Sequence, residues 1–285
     1  MKHQNIEIYQ KLPEACIPWY RKNARDLPWR RTTDPYAIWL SEIMLQQTRV
    51  EAVRGYYLRF LQEFPSIQAL ARAEEGKLLK LWEGLGYYNR VRNMHKAAKV
   101  IMKENNGVFP SEYSEILSLP GIGEYTAGAI ASTCFAEPIA AVDGNVLRLI
   151  SRITEDGEDI LKDTTRKRIK AYLETVYPKD TPGEFTQSLM ELGAVVCIPV
   201  GEPKCIICPA RSFCRAYVHG TWRQFPVKEK KKGRKIEERT VFILQCREKM
   251  AVSQRKAKGL LANLWEFPNI EGKLPVKAAI ARAAE

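Results

Sequence analysis

Two glycines set one residue apart constrain this chain more than any other feature. They fall in Leu119-Pro120-Gly121-Ile122-Gly123-Glu124-Tyr125-Thr126-Ala127-Gly128, where the backbone must turn tightly. Gly123 then opens a small-residue helix predicted over Tyr125 to Cys134. Such a turn aims unpaired N–H groups and the positive end of a helix at one point, a ready site for a phosphate. Leu117, Leu119 and Ile122 would anchor it against a preceding helix, giving a helix–hairpin–helix. A plain corner between two helices uses the same glycines, so the choice rests on the rest of the chain.

The surrounding sequence reads as helix. Asp34-Pro35 predicts a capped start for a helix running through Gln46. Another begins near Thr48 and runs through Phe60 towards Phe64. Further helices are predicted at Ile67–Ala73, Gly76–Glu83, Asn89–Asn105, Tyr113–Ser118, Asn145–Ile153, Thr164–Val176 and Glu184–Val196. Strand-like alternation is absent, so residues 1–221 read as an all-α, two-lobed domain. From Lys228 to Lys235 six of eight residues are Lys or Arg, and 222–237 is expected to be a solvated basic linker. Beyond it, Glu238–Cys246 and Lys249–Lys256 predict two strands joined by a short turn, Trp265–Pro268 a third, and Val276–Ala283 a helix. So few strands bury little surface and leave sheet edges open, so 238–285 reads as an α/β domain cut short.

With 285 residues the chain has room for two domains, and its formal charge of +12 points to a polyanionic partner, nucleic acid before membrane. Every apolar run is broken by a charge before membrane-spanning length, and Met1–Gln10 lacks the apolar core of a signal peptide. A cytoplasmic protein is expected, and its seven cysteines are then not disulfides. Cys16, Cys134 and Cys246 lie among apolar neighbours and read as inert core thiols. Cys197, Cys205, Cys208 and Cys214 are different: they are separated by seven, two and five residues after a predicted helix. Four thiolates that close together call for a metal centre. One Cys-x-x-Cys pair with unequal outer gaps favours a [4Fe–4S] cluster over a Cys₄ zinc site, which stays open as the rival.

Two carboxylates stand out. Asp143, in Ala140-Ala141-Val142-Asp143-Gly144-Asn145-Val146, reads either as an ordinary helix N-cap or as a carboxylate kept ionised near a developing positive charge. Glu42 sits in Ala37-Ile38-Trp39-Leu40-Ser41-Glu42-Ile43-Met44-Leu45, with Ile38, Trp39 and Leu45 about one turn away. An acid there is either paired, with Arg30 or Arg49 as partner, or has its pKa raised by desolvation. A raised-pKa acid beside an ionised carboxylate is the division of labour that glycosidic-bond cleavage needs.

Leu119–Gly128, Val142-Asp143-Gly144-Asn145 and the four cysteines together resemble the helix–hairpin–helix DNA glycosylases of the endonuclease III superfamily. Leu40–Thr48 and Trp82-Glu83-Gly84-Leu85-Gly86-Tyr87-Tyr88 are similar to its adenine-specific MutY branch, and the likeness runs through residues 8–221. Gly259-Leu260-Leu261 and Leu264–Pro268 extend it into that branch's Nudix-like C-terminal domain. The resemblance implies a monomeric enzyme on double-stranded DNA that flips out adenine mispaired with 8-oxoguanine or guanine and removes it. It implies that Glu42 protonates adenine N7 and then assists water, that Asp143 stabilises or transiently bonds the sugar C1′, and that Tyr125 and Asn145 position that chemistry. Gly121, Gly123 and Thr48 would lie at the DNA. Gln47 and Tyr87 would wedge into the duplex with Leu85 on the 8-oxoguanine, while Trp29, Arg30, Leu45 and Gln187 would line the adenine pocket. Bifunctional relatives carry a lysine where this chain has Tyr125, and a phenol forms no imine, so base removal without strand cleavage is expected.

Two departures accompany the likeness. Seven residues separate Cys197 from Cys205 where the family has six, which puts the local path of that loop in question. Most of the Nudix-like domain is missing from the sequence, so weaker discrimination between 8-oxoguanine and guanine opposite adenine is expected. The remainder carries no pyrophosphatase signature, and nucleotide hydrolysis is not expected. Two alternatives remain: a mismatch glycosylase for another base, and a non-catalytic DNA-binding scaffold. Glu42 argues against the first, since thymine has no N7 to protonate, and retention of both carboxylates argues against the second.

Overall fold

The computed structural model describes residues 2–229, 236–256, 261 and 264–284. The chain divides into two units, residues 1–229 and 230–285. Most of the basic run Lys228–Lys235, and Gly259-Leu260, lie outside the described residues.

The first unit is helical throughout its described length. In chain order the helices are α1 (Lys2–Gln10), α2 (Leu12–Asn23), α3 (Pro35–Leu45), α4 (Val50–Glu63), α5 (Ile67–Arg72), α6 (Glu75–Trp82) and α7 (Asn89–Glu104). They continue with α8 (Tyr113–Ser118), α9 (Glu124–Cys134), α10 (Gly144–Thr154), α11 (Asp163–Glu174), α12 (Pro182–Glu191) and the short α13 (Arg215–Val218). None of the described helices is long and apolar enough to cross a membrane. Most expected helix boundaries stand or shift by one or two residues, as frayed ends do. The largest change is at Glu184–Val196: α12 starts earlier and ends at Glu191, and Leu192–Val196 continues as a π turn closed by Cys197 N–H to Leu192 O at 2.7 Å.

Two cores divide this unit into lobes. One is built from residues 27–131 around Trp39, Phe60 and Trp82, whose rings meet Phe109, Phe64 and each other edge to face. The other joins the N-terminal Ile8–Ile17 to residues 140–210. Helix α3 crosses the first core with nine of its eleven residues buried, Pro35 in its first turn and Asp34 accepting the N–H groups of Tyr36 and Ala37. Helix α10 is central to the second and is buried from Val146 to Thr154. The hairpin forms as the sequence implies. Leu119 and Ile122 are buried, Leu117 packs on them, and Gly121 takes a left-handed φ of +80°. A side chain at Gly128 would meet the Ala140 carbonyl at 3.0 Å, so this glycine lets α9 lie close against the segment leading to Asp143.

In the second unit the described strands are shorter than expected. Glu238–Cys246 splits into β1 (Arg239–Val241) and β2 (Gln245–Cys246), and Lys249–Lys256 into β3 (Lys249–Met250) and β4 (Ser253–Gln254). β5 (Trp265–Glu266) and the unexpected β6 (Asn269–Glu271) complete three antiparallel pairs, β1–β6, β2–β3 and β4–β5, before helix α14 (Val276–Ala284). Cys246 is exposed rather than buried, because β2 has no apolar layer over it among the described residues; Cys16 is buried and Cys134 half-buried.

Candidate active site

A pocket between the two lobes collects side chains more than 160 residues apart. The first lobe supplies Trp29, Arg30, Glu42, Leu45, Gln47, Thr48 and Tyr125, and the second Asp143, Asn145 and Gln187. Ten residues expected at the site thus line one cavity. Glu42 is enclosed, 4% exposed, on α3. Neither arginine expected as its partner forms an ion pair with it; its partner is the Tyr125 hydroxyl, which donates to Oε2 at 2.7 Å. Burial, with Asp143 nearby, pushes the Glu42 carboxyl up to about 7, and the Tyr125 bond and Arg30 only partly offset this. The phenol is itself driven well above its usual range by burial and by the two carboxylates, so it stays a neutral donor.

Asp143 is both an N-cap and a pocket wall. Its Oδ1 accepts from the N–H groups of Asn145 at 2.9 Å and Val146 at 2.8 Å, and its Oδ2 from Asn145 Nδ2 at 2.7 Å. Burial raises its pKa from the usual carboxylate value, while these three donors and Arg148 pull back towards the charged form. The Asn145 amide has one orientation open to it, because Arg148 Nη2 donates to its Oδ1 at 2.9 Å. Arg148 also donates to the carbonyls of Gly193 at 2.7 Å and Cys197 at 2.8 Å, tying Asn145 to the π turn and the first cysteine.

Leu85, Tyr87, Gly121 and Gly123 do not line the pocket. Leu85 packs in the first core. Tyr87 is 65% exposed at φ +46°, and Gln47 at the pocket rim has φ +58°, two non-glycine residues in the left-handed region. Gly121 shapes the hairpin, and Gly123 is the N-cap of α9, with no side chain capping it among the described residues.

Sequence reasoning missed several groups. Arg90 donates to the carbonyls of Ile43, Met44, Gln46, Leu85 and Gly86 at 2.7–3.3 Å, joining the loop of Gln47 to the loop of Tyr87. Met190 and Glu191 of α12 line the pocket as well, and Glu191 pairs with both Arg25 and Arg30. Local pattern announces little of this: Arg90 lies 44–47 residues from Ile43, Met44 and Gln46, and Glu191 lies 166 and 161 residues from Arg25 and Arg30.

Cys197, Cys205, Cys208 and Cys214 line one small cavity behind α10 with Leu149, Ile153, Val196 and Trp222. Arg152 Nη1 lies 3.3 Å from Cys197 Sγ. Burial pushes Cys208 up to about 12 and Cys214 to about 11, so thiolates there require positive charge brought into the cavity. Among the described residues no group of three or more His, Cys, Asp and Glu side chains is arranged to hold a single metal ion.

An enclosed acid and a capped aspartate, facing one pocket of a two-lobed hairpin fold, define the class: a base-excising DNA N-glycosylase. The comparisons agree. Residues 40–192 match the family described as HhH-GPD superfamily base excision DNA repair protein. The chain is 37% identical over 262 residues to the adenine DNA glycosylase of Buchnera aphidicola subsp. Acyrthosiphon pisum, covering 91% of this chain and 74% of that one. It is 34% identical over 310 residues to the human adenine DNA glycosylase, covering 90% and 57%. A thermostable thymine-DNA glycosylase superposes with a TM-score of 0.67 at 26% identity, covering 76% of this chain and 99% of that one. The chain belongs to the HhH-GPD superfamily of base excision DNA repair proteins.

Proposed function

We propose that the chain removes adenine mispaired with 8-oxoguanine or guanine in duplex DNA, leaving an intact abasic site. The observation that carries this reading is Glu42, an enclosed acid that holds its proton near neutral pH across one pocket from Asp143. An extruded adenine entering between them meets a proton for N7, and that proton weakens the bond to C1′. As the base departs, Asp143, held by Asn145 and the start of α10, stabilises the cationic sugar. Water then adds at C1′ and loses a proton to the Glu42 carboxylate, which restores the acid. Tyr125 orients Glu42 and offers no amine for an imine, so the strand stays intact. Gln47 and Tyr87, on loops fixed by Arg90, would fill the duplex where the adenine left, with Leu85 at the opposite base and Gly121, Gly123 and Thr48 along the backbone.

Single-turnover excision on adenine paired with 8-oxoguanine, adenine paired with guanine, and thymine paired with guanine tests the substrate. E42Q should abolish adenine release, and unchanged release would remove the acid from the mechanism. Efficient β-elimination by the purified protein would overturn the monofunctional reading.

The four-cysteine cavity supports a [4Fe–4S] cluster as resident cofactor. Its donors are four thiols in one apolar hollow, spaced as one Cys-x-x-Cys pair with unequal outer gaps, and Arg152 stands ready to balance sulfur charge. Bound there, the cluster would brace the loop behind Arg148 and Asn145. Iron and acid-labile sulfide in equal amounts, about four each per chain, would support it; stoichiometric zinc would refute it. We read the second unit as part of a Nudix-like 8-oxoguanine-reading domain; what supports this is that the likeness to the Buchnera adenine DNA glycosylase covers 91% of the chain and so continues past residue 229.

A further inference from the structure

Glu191 is the strongest anion in the pocket wall, and neither of the two carboxylate roles above uses it. It ends α12 one residue before the π turn, and its side chain is 0% exposed. It accepts from the Arg25 main-chain N–H at 3.1 Å, from Arg25 Nε and Nη2 at 2.7 Å each, and from Arg30 Nη2 at 2.7 Å. Arg30 donates once more, to the Arg25 carbonyl at 3.1 Å, and rests against the Tyr20 ring. That leaves the Arg30 Nε–H buried with no partner among the described residues, on a side chain that lines the pocket. A buried donor without an acceptor is a cost that a bound ligand can relieve.

We infer that Glu191 is a positioning residue for base excision, holding Arg25 and Arg30 in the pocket wall and neutralising them there so that the proton on Glu42 is not driven off. This inference rests on the glycosylase reading above. The groups facing Glu42 are Tyr125 and Cys134 of α9, Asp143 at the start of α10 with Arg148 behind it, and Arg30 from the turn Pro28–Arg30. Of these, Arg30 and the more distant Arg148 bring positive charge, and Arg30 alone borders the pocket beside Glu42. Without Glu191, two guanidiniums held in the same wall would act on Glu42 uncompensated. Burial alone would raise Glu191, yet the hydrogen bonds from Arg25 and Arg30 hold it down at about 2, so it remains an anion across the working range.

The test is the pH profile of single-turnover excision at saturating enzyme, on adenine paired with 8-oxoguanine, with folding monitored by circular dichroism. In E191Q the alkaline limb should move to lower pH by roughly half to one unit, as expected for unit charges a pocket's width apart. E191D should recover most of the shift. R30Q, which removes the cation and leaves the anion, should move the same limb to higher pH, and it answers the question even if E191Q fails to fold. Affinity for DNA carrying a non-cleavable adenine analogue should fall about tenfold in both variants, through the misplaced or missing guanidinium. An unmoved limb in folded E191Q, or a limb that moves the same way in E191Q and R30Q, overturns the inference. Absence of adenine release by the unmodified protein would instead overturn the glycosylase reading.

Discussion

Replacing Glu42 by glutamine should stabilise the protein, by an amount set by pH. Burial raises the Glu42 carboxyl from 4.5 to about 7, so the folded chain holds a proton there that the unfolded chain has lost. Below pH 4.5 both states are protonated and the residue is neutral to stability. As pH rises through the window from 4.5 to 7 the unfolded state releases its proton first, and stability falls. Above 7 both are ionised and the deficit is complete, about 3 kcal/mol for a shift of this size. Glutamine fills the same space, still accepts from Tyr125, and does not titrate. Urea unfolding of wild type and E42Q at half-unit steps from pH 4 to 8.5 should therefore give curves whose separation grows by about 3 kcal/mol across that window and then levels. A separation constant with pH would refute the reasoning, since it would place no ionised, desolvated carboxylate at position 42. Glu191 has the opposite sign: its depressed pKa gives stability that is present above 4.5 and lost as pH falls towards 2. Through the two residues together, stability should be greatest near pH 4 to 5. The loss above that window is where an acid ready to protonate a base costs the fold.

Y125F removes the hydroxyl that donates to Glu42 at 2.7 Å, a bond that favours the carboxylate, so the alkaline limb of excision should move up by about one pH unit. An unmoved limb in stopped-time excision assays would show that the phenol does not tune the acid. G193A places a Cβ 2.6 Å from Asn145 Cβ and 2.8 Å from the Asn145 carbonyl oxygen. Backbone there cannot yield without moving Asn145 off Asp143, so a loss of about 1–3 kcal/mol in stability and at least about tenfold in excision is expected; near-normal excision would be inconsistent with it. G121A must adopt φ +80° with its Cβ 2.6 Å from Asn93 Cβ, which should cost about 1–3 kcal/mol. DNA affinity measured by anisotropy should weaken while the rate at saturating enzyme is kept, and a rate loss with intact affinity would remove the hairpin from the DNA interface.

What could be read without the structure was whatever the chain expresses locally. The glycine turn, the Asp34-Pro35 start of α3 and the buried face around Glu42 follow from neighbours within a turn or two, and they stand where expected. The N-cap and functional readings of Asp143 turn out to describe one geometry, because the bonds that cap α10 are the same ones that favour its charge. The arginine reading of Glu42 lost for a reason no local pattern contains. Arg30 is claimed by Glu191, 161 residues away, and the vacancy beside Glu42 is filled by Tyr125, 83 residues away. Strand lengths in the second unit failed likewise, since alternation sets which face a residue takes but pairing decides how far a strand runs. The two kinds of error share a cause. Residues whose partners lie near in sequence were legible, and residues whose charge or pairing is settled by a distant segment were not. In this fold the second kind surrounds the acid: α3 supplies the carboxyl, but α9, α10 and α12 together decide whether it carries a proton.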